Sequence, residues 1–526
     1  MQKPLESLII EAVKNKTESS FDLNFLKRKF AKRFKIETPS NIELLKAYHN
    51  LVENKRIKTN QRLKELLVKR RIRSLSGVVT VSVLTKPYKC PGKCLYCPNE
   101  KGIPKSYLSN EPAVMRAVLN KFDPYSQVKT RIKSLELTGH ATDKIELIII
   151  GGTWSYLNKK YQEWFIKKCF EAANNKRSDS LKKVQEMNEK AKHRIIGITV
   201  ETRPDFIDEK EIKNLRKLGV TRVEIGVQSI YDDVLKLNKR GHKRIKIIKA
   251  TQLLKDAGFK VCYHIMLNLL GSSPILDKKM FEEIFNNPDF RPDLLKIYPC
   301  AILKQAPLYR LYRKGAYKPY DEKQLINLLK EIKKKIPYYV RVQRLIRDIP
   351  SQSIIIGPAK ISNMRQILKQ ARGKENWHCK CIRCREVKES YDPKTINTLK
   401  LFREDYNASG AKEIFLSYED KSREKLYSLL RLRIPLKDKE NPFSVLKSSA
   451  IIREVHTYGR LNPIGHTLSK SPQHKGFGKK LIEKAEKIAK EEFGLNKIAV
   501  ISGIGVRGYY RKLGYTLKDS YMVKRM

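Results

Sequence analysis

The sequence of 526 residues contains no apolar run long enough to cross a bilayer. Residues 145–150 form one of its longest apolar runs, far short of the roughly 18–20 residues that a membrane-spanning helix needs. The N-terminus shows no signal-peptide pattern, and no lipidation motif accompanies the charged segments. These absences predict a soluble, cytoplasmic protein without a membrane partner.

Acidic residues are scarce relative to basic ones. The chain has 55 Asp and Glu against 110 Lys and Arg, which gives a formal net charge of +55. A surplus of this size repels itself unless a polyanion neutralises part of it, and clustered cations bind nucleic acid strongly because they release its counterions. The charge therefore predicts a nucleic-acid partner, with a merely solvated basic surface as the alternative.

Nine cysteines are an odd number, and six of them fall in two tight clusters. A secreted disulfide framework does not have this distribution. The spacing favours metal-bound thiolates in a reducing compartment.

Residues 1–75 are predicted to form a basic helical region, because their apolar residues recur at helical spacing between runs of Lys and Arg. The lysines and arginines of residues 27–35 and 55–73 lie among apolar positions, as expected for a helical face that contacts RNA. A bundle that is merely soluble is the alternative. The candidate RNA-binding residues of this region are Lys27, Arg28, Lys29, Arg70, Arg71 and Arg73.

Residues 76–375 change to short β-branched runs separated by helical stretches. The predicted strands cover residues 77–84, 145–150, 194–200, 220–227, 261–267 and 294–298. This alternation predicts an α/β fold with parallel strands, a partial (β/α)6 barrel whose active site lies at the C-terminal strand ends. Residues 376–400 form a cysteine-rich linker, and residues 401–526 form a second, mixed α/β domain.

The first cysteine cluster, CPGKCLYC, places Cys90, Cys94 and Cys97 in one loop after the first predicted strand. Three thiolates can hold three irons of a [4Fe–4S] cluster and leave the fourth iron open. In radical-SAM enzymes S-adenosylmethionine occupies that iron and is cleaved to a hydrogen-abstracting radical. A structural zinc site is the alternative, although such sites usually have four ligands.

Polar or glycine-rich segments follow three later strands, where a barrel enzyme would hold S-adenosylmethionine and substrate. Turn formation and helix capping are the alternative roles of these segments. The candidate S-adenosylmethionine contacts are Gly151, Gly152, Thr153, Glu201 and Gln228.

The pattern Q-x-x-G-x-G at residues 473–478 precedes an amphipathic helix, whose first backbone N–H groups can bind a pyrophosphate. Tyr510, with Tyr509 beside it, has the spacing of the tyrosine that protonates the CoA thiolate in GCN5-related acetyltransferases. Packing of both rings in the core is the alternative. The pattern makes Gln473, His474, Lys475, Gly476 and Gly478 candidate acetyl-CoA contacts.

The second cysteine cluster, HCKCIRC, contains Cys379, Cys381 and Cys384 and indicates a possible structural zinc site. Its fourth ligand could be His378, a distant residue or water, and buried thiols without metal are the alternative. Nearby, the tyrosines and arginines of residues 338–347, with Arg341 and Arg344 as candidates, have a composition suited to single-stranded RNA. A solvated face or a domain interface would account for them equally well.

Taken together, these segments resemble the catalytic subunit of Elongator, the tRNA uridine-34 acetyltransferase family, in an archaeal-like single-chain form. The stretches that carry the resemblance include TKPYKCPGKCLYCP, LTGHATDKIELIIIGGTW, GVQSIYDDVL, REVHTYG, QHKGFG and ISGIGVRGYYRKLGY. One stretch departs from the family, since its proline-rich loop reads MLNLLG at residues 266–271. The resemblance implies a radical-SAM barrel joined to a GCN5-related acetyltransferase domain.

The family implies that an acetyl-derived radical adds a carboxymethyl group to C5 of the wobble uridine, with the anticodon base turned out of its loop. It further implies acetyl-CoA contacts by Lys144, Glu454, Val455, His456 and Thr457. Other Elongator-type subunits are possible partners. The competing functions are a protein lysine N-acetyltransferase with a structural iron–sulfur cluster, and an RNA-binding scaffold without catalysis. The basic charge argues against the first, and the intact cysteines and Tyr510 argue against the second.

Overall fold

A computed structural model describes residues 2–68, 77–388, 393–435, 441–459 and 476–526. Six candidate residues lie outside these ranges: Arg70, Arg71, Arg73, Gln473, His474 and Lys475. The described chain forms an N-terminal helical bundle and two seven-stranded sheets. None of its helices combines the length and apolar character that crossing a membrane requires.

The N-terminal bundle contains α1 (Gln2–Lys14), α2 (Ser20–Phe34), α3 (Asn41–Glu53) and α4 (Gln61–Leu67). Capping boxes begin α2 and α3, because Ser19 and Ser40 each accept a hydrogen bond from a backbone N–H that the first turn leaves free. Apolar side chains from all four helices form one core, so the cations are displaced toward the surface.

The first sheet is parallel, and its strands follow one another in chain order. They are β1 (Val79–Leu84), β2 (Lys144–Ile150), β3 (Arg194–Thr202), β4 (Arg222–Gln228), β5 (Lys260–Leu267), β6 (Leu294–Pro299) and β7 (Arg341–Arg344). The partial barrel is therefore confirmed, but with seven strands instead of six. The seventh was missed because β7 is only four residues long and carries two arginines, which hide the strand pattern.

Helices cover one face of this sheet. They are α6 (Pro124–Leu137), α7 (Lys159–Asn174), α8 (Leu181–Asn188), α9 (Glu209–Lys217), α10 (Asp232–Leu237), α11 (Arg244–Asp256), α12 (Pro274–Asn286) and α14 (Glu322–Lys335). Of the two other helices, α5 (Pro112–Leu119) packs beside β1 and α13 (Leu308–Arg313) packs beside the loop that contains Cys94. In β5, Val261, Tyr263 and Ile265 belong to the core on the helix side. Because side chains alternate along a strand, Cys262 and His264 face the interior of the barrel.

Two further helices, α15 (Met364–Glu375) and α16 (Ile382–Arg385), lead to the second sheet. Its strands are β8 (Lys400–Ala408), β9 (Ala411–Glu419), β10 (Leu426–Ile434), β11 (Ala450–Thr457), β12 (Lys497–Val500), β13 (Thr516–Lys518) and β14 (Tyr521–Arg525). Their order is β13-β14-β12-β11-β10-β9-β8, and only β11 and β12 run parallel. The helices α17 (Phe477–Glu491) and α18 (Arg507–Arg511) accompany this sheet, which confirms the mixed α/β prediction.

The two sheets share a buried, charged interface. Asp293, which precedes β6, accepts hydrogen bonds of 2.8 and 2.5 Å from Arg453 on β11. Arg453 also reaches Glu413 on β9 at 3.2 Å. All three side chains are fully buried, so each charge is compensated by its neighbours rather than by water. The interface therefore holds the two domains in one fixed arrangement.

Candidate active site

The first cysteine cluster lies in the loop that follows β1. A Cβ atom placed on Gly92 would lie 3.6 Å from Cys94 Sγ and 3.7 Å from Cys90 Sγ, so the loop turns both sulfurs toward the same glycine. Arg240 Nη1 lies 3.6 Å from Cys94 Sγ. A hydrogen bond from Cys97, assisted by the charge of Arg240, lowers the pKa of Cys94 to about 4. The same hydrogen bond raises the pKa of Cys97, so the pair favours one thiolate, on Cys94, and a thiolate is the form that binds iron.

The candidate S-adenosylmethionine residues lie at the C-terminal strand ends, as predicted. Gly151, Gly152 and Thr153 follow β2, Glu201 lies near the end of β3, and Gln228 ends β4. Because the strands are parallel, these ends share one edge of the sheet with the cysteine loop. Tyr107 donates a 2.8 Å hydrogen bond to Glu201, which fixes the orientation of that carboxylate.

Glycine is required at the end of β2. Gly151 has φ +132° and Gly152 has φ +104°, a region that other residues rarely adopt. A Cβ on Gly151 would lie 2.1 Å from Thr85 Oγ1, at the end of β1. The close approach of these two strand ends brings the Gly-Gly turn against the segment that leads into the cysteine loop.

Buried polar atoms without a protein partner converge at the same edge. They include Arg203 Nη1, Gln228 Oε1 and both ring nitrogens of His242. Burying such atoms unpaired is costly, so their concentration here fits a polar ligand such as S-adenosylmethionine. Arg203 and His242 were not predicted; the ETRPD motif contained the arginine, whereas nothing in the sequence pattern pointed to the histidine.

A charged cluster inside the barrel was also missed. Glu224 on β4 pairs with Lys296 on β6 and lies 2.8 Å from His264 Nε2 on β5. Lys296 also approaches Glu201 at 3.5 Å. Cys262, Glu224 and His264 have the mutual distances of metal ligands, but the ammonium of Lys296 already supplies the positive charge there. The sequence could have indicated this cluster, because charged residues stand at alternate positions of strands that are otherwise apolar.

The second sheet opens into a cleft between β11 and β12. The two strands pair only at residues 450–452 and 498–500. Residues 454–457 continue along β11 and pair only with β10 among the described strands. The candidates Glu454, Val455, His456 and Thr457 therefore lie where one backbone edge is left available, as an extended ligand with amide groups requires.

The start of α17 faces this cleft. A Cβ on Gly478 would lie 3.4 Å from the Tyr509 hydroxyl and 3.8 Å from both Thr457 Oγ1 and Val455 Cγ1. Gly476, which precedes the helix, has φ +74°. The structure thus joins the helix N-terminus, the free edge of β11 and one tyrosine in a single site that suits acyl-CoA.

The two tyrosines differ in position. Tyr509 is 44% exposed with its hydroxyl toward Gly478, whereas Tyr510 is 7% exposed and packs in the core beside Tyr515. Burial raises the pKa of both phenols, so both stay protonated at neutral pH. Tyr509 is consequently the better-placed proton donor, while core packing accounts for Tyr510.

The remaining predicted acetyl-CoA residues lie close to the barrel. The Glu454 carboxylate contacts Lys260 at 3.2 Å and Arg431 at 2.8 Å, and these two cations hold its pKa well below the usual range against the effect of burial. Burial lowers the pKa of His456 to about 4, so this side chain is neutral. Lys144 is half-buried at the start of β2, at the same end of the barrel as Lys260. Because the Glu454 carboxylate is engaged by these two cations, Glu454 would meet a ligand through its backbone and not through its side chain.

The second cysteine cluster forms a compact site. The sulfurs of Cys379, Cys381 and Cys384 lie within 4.8 Å of one another. Lys333 Nζ on α14 lies 3.3 Å from Cys379 Sγ and 3.5 Å from Cys384 Sγ. His378 is exposed and approaches Glu424 at 3.7 Å, so Lys333 and not His378 accompanies the sulfurs.

The candidate RNA contacts divide into exposed and enclosed residues. Arg28, Lys29 and Arg344 are exposed, although Lys29 pairs with Glu11 at 3.4 Å and Arg344 with Asp348 at 2.6 Å. Lys27 is buried and donates to Asn41 at 3.1 Å, and Arg341 pairs with Glu386 at 2.7 Å. Lys27 and Arg341 are therefore poorly placed to contact RNA.

Two nearby tyrosines belong to the interface between the sheets. Tyr339 stacks on Tyr406 at 3.9 Å, and the guanidinium of Arg423 lies 3.7 Å above the ring of Tyr338. The domain-interface alternative therefore accounts for these two tyrosines, whereas Arg344 in the same segment stays exposed.

Comparisons with known proteins identify both domains. Three family models match: the Radical SAM superfamily over residues 85–276, the Radical_SAM C-terminal domain over residues 292–372 and the Acetyltransferase (GNAT) family over residues 465–515. The tRNA uridine(34) acetyltransferase of Methanocaldococcus infernus is 47% identical over 507 residues, covering 94% of this chain and 93% of that protein. Elongator complex protein 3 of Homo sapiens is 39% identical, covering 86% of this chain and 85% of that protein.

A solved structure of the archaeal Methanocaldococcus infernus Elp3 with an N-terminal deletion is also similar. The two chains have 44% sequence identity and a TM-score of 0.75, and the match covers 86% of this chain and 100% of the solved one. The resemblance noted in the sequence is thereby confirmed. Because identity of this level extends over nearly the whole length of curated relatives, the chain belongs to the tRNA uridine(34) acetyltransferase family, which includes Elongator complex protein 3.

Proposed function

We propose that this protein uses S-adenosylmethionine and acetyl-CoA to add a carboxymethyl group to C5 of uridine 34 in tRNA. One observation carries the proposal: a three-cysteine loop at a strand edge with unpartnered polar atoms, and a cleft that holds a helix N-terminus and the Tyr509 hydroxyl, occur in one molecule with a buried interface. The basic charge of the chain suits an RNA substrate.

On the barrel side, Cys90, Cys94 and Cys97 would hold a [4Fe–4S] cluster. When bound, the cluster and S-adenosylmethionine supply a radical that abstracts hydrogen. Arg203 and His242 offer donors, and Gln228 offers an acceptor, to the polar groups of the cofactor. Gly152 allows backbone approach at the same edge. These residues bind and orient the cofactor beside the barrel interior.

On the acetyltransferase side, the backbone N–H groups at the start of α17 would bind the pyrophosphate of acetyl-CoA. The free edge of β11 would pair with the amide groups of the pantetheine arm. Tyr509 would donate its phenolic proton to the departing CoA sulfur. The family implies a further contact by Lys144, and the half-buried position of this lysine at the start of β2 is compatible with it.

The second cysteine cluster suits a structural zinc ion. Cys379, Cys381 and Cys384 would supply three thiolate ligands, and the Lys333 ammonium beside them would offset part of their negative charge. Elemental analysis should find zinc in a variant that lacks the three iron-binding cysteines, and none when Cys381 is also replaced by serine. Absence of zinc from the first variant would contradict the proposal.

Substrate recognition would fall mainly to exposed cations. Arg28, Lys29 and Arg344 are accessible for phosphate contacts, and the anticodon stem-loop is the expected partner. The exposed surface would also allow other Elongator-type subunits to bind.

The decisive experiment is anaerobic incubation of reconstituted protein with S-adenosylmethionine, reductant, acetyl-CoA and tRNA, followed by mass spectrometry of tRNA nucleosides. We expect a carboxymethyl-sized mass increase on uridine that disappears when Cys90, Cys94 and Cys97 are replaced by alanine. The proposal is wrong if S-adenosylmethionine is cleaved while uridine stays unmodified. Stimulation of acetyl-CoA turnover by lysine peptides but not by tRNA would favour a protein acetyltransferase instead.

A further inference from the structure

A row of aromatic and lysine side chains, exposed except for the half-buried Tyr161, lies beside the cysteine loop, and the site described above does not use it. We call Lys86, Tyr88, Tyr156, Tyr161 and Trp164 the aromatic track. Tyr88 stands two residues before Cys90, and Tyr156 stands three residues after Thr153. The track therefore begins where the candidate S-adenosylmethionine site opens.

Ring contacts connect the inner end of the track to that site. The guanidinium of Arg203, which would meet a Cβ on Gly92 in the cysteine loop, lies 6.0 Å from the ring of Phe206. Tyr156 lies 5.6 Å from Phe206 and 6.1 Å from Tyr88, both edge-on. Successive rings thus lead from the cysteine loop to the surface.

An open pocket of about 350 Å³ forms the outer end of the track. Lys86 Nζ lies 5.1 Å from the ring of Tyr161, and the Trp164 ring is tilted against Tyr161 at 5.5 Å. Lys121 and Phe122 complete the lining together with Asp123. The Asp123 carboxylate accepts a 2.7 Å hydrogen bond from the Ser126 backbone, so it is engaged in capping α6.

Exposure and charge indicate the occupant. Trp164 is 42% exposed, whereas the other two tryptophans, Trp154 and Trp377, are 2% and 7% exposed. Lys86 and Lys121 are exposed and have no carboxylate partner among the described residues. A flat ring beside unpaired cations matches a base with its phosphate, whereas an apolar protein segment would not need the lysines.

We propose that the aromatic track binds an unpaired nucleotide next to the target uridine, with its base stacked on Trp164 and its phosphate near Lys86 and Lys121. This inference rests on the proposed tRNA substrate and assigns part of its binding surface. An RNA loop has unpaired neighbours beside the modified base, and they must lie close to the mouth of the barrel when that base enters it.

Tryptophan fluorescence gives a direct test that does not depend on turnover. In the full-length protein, an anticodon stem-loop RNA should quench Trp164 and protect it from acrylamide, while duplex RNA of equal length should not. Trp164→Phe should abolish this signal. The fluorescence change that remains in this variant gives the loss of intensity caused by absorption of light by the RNA, which must be subtracted. Trp164→Ala should weaken stem-loop binding by roughly 5- to 160-fold, as expected for loss of one base stack, and Trp164→Phe should weaken it less.

Leu401→Ala provides a matched control, since Leu401 is an exposed apolar side chain on β8 in the other domain. It should bind stem-loop RNA as the unaltered protein does. If the unaltered protein binds RNA but Trp164→Ala binds equally well, or duplex RNA protects Trp164 equally, base stacking here is refuted and the tRNA function stands. If the unaltered protein binds no RNA, the proposed function itself fails.

Discussion

At the scale of single residues, two adjacent tyrosines illustrate how similar side chains acquire different roles. Tyr509 and Tyr510 follow each other in α18, and helical geometry turns neighbours by about 100°. Tyr510 consequently packs into the core under Tyr515, while the Tyr509 hydroxyl reaches the acyl-CoA cleft near Gly478. Proton donation requires contact with the reacting sulfur, so the proposed function assigns this role to Tyr509.

Tyr509→Phe should therefore lower tRNA-stimulated release of CoA by about 10²- to 10⁴-fold, the usual contribution of a positioned acid. The ring stays in place, so the unfolding midpoint should be unchanged. CoA release can be followed with a thiol reagent under saturating acetyl-CoA. Tyr510→Phe is the matched control and should retain most activity; the opposite ranking of the two variants would refute the assignment.

At the scale of elements, the close approach of two strand ends shapes the proposed S-adenosylmethionine site. Gly151 directly follows β2 and lies against Thr85, which directly follows β1. The positive φ of Gly151 and this close contact leave no room for a larger side chain. Strand ends held this closely bring the Gly-Gly turn and the cysteine loop to the same edge of the sheet. The loop geometry, and not any one side chain, sets where the cofactor can lie.

Gly151→Ala should push this turn away from β1 and lower the rate of S-adenosylmethionine cleavage by about tenfold or more, since misplacement of about 1 Å can cost a factor of 100. Acetyl-CoA binding in the other domain should be unaffected, which calorimetry can verify. Gly102→Ala is a suitable control, because Gly102 also has positive φ (+76°) but a Cβ there would meet no atom within 4 Å. Equal loss in both variants would show that backbone strain alone is responsible.

At the scale of the whole molecule, buried ion pairs join the barrel to the acetyltransferase domain. Asp293 is fully buried and receives two hydrogen bonds from Arg453, with Arg431 at 3.6 Å. Burial alone would raise the pKa of Asp293, but Arg453, Lys255 and Arg431 together hold it below the usual value. The charged form is thus part of the folded interface.

Removing that charge by Asp293→Asn should leave buried guanidinium groups unpaired and destabilise the protein by about 3–5 kcal/mol. Thermal unfolding at pH 7 measures the effect. Asp179→Asn is the control, since Asp179 is exposed at the surface, and it should leave the unfolding midpoint unchanged. An equal midpoint for Asp293→Asn would show that the interface does not depend on this charge.

The same carboxylate predicts a dependence on pH. Because its folded pKa is lower than its unfolded value of about 3.9, Asp293 stabilises the protein above that value. The contribution is lost as pH falls through the folded pKa. The stability difference between the unaltered protein and Asp293→Asn should therefore be constant from pH 7 to about pH 5 and shrink below pH 4. A difference that grows on acidification would contradict this account.

Much of this arrangement could be foreseen from the chain. The cysteine spacing, the strand–helix alternation and the glycine pattern before α17 are local, because each depends on residues near one another in sequence. For the same reason the prediction missed β7, whose four residues are too few for periodicity to show. The tRNA uridine(34) acetyltransferase resemblance extended these local signals to nearly the whole length.

Only the tertiary structure decided which distant side chains meet. It paired Glu224 with Lys296, brought Lys333 to the second cysteine cluster, directed Arg341 to Glu386 and joined Tyr88 to Tyr156 in the aromatic track. No sequence period encodes such contacts, because they depend on how strands and loops far apart in the chain pack together. The sequence by itself determined the chemistry that the protein carries; packing determined which of the candidate residues can take part in it.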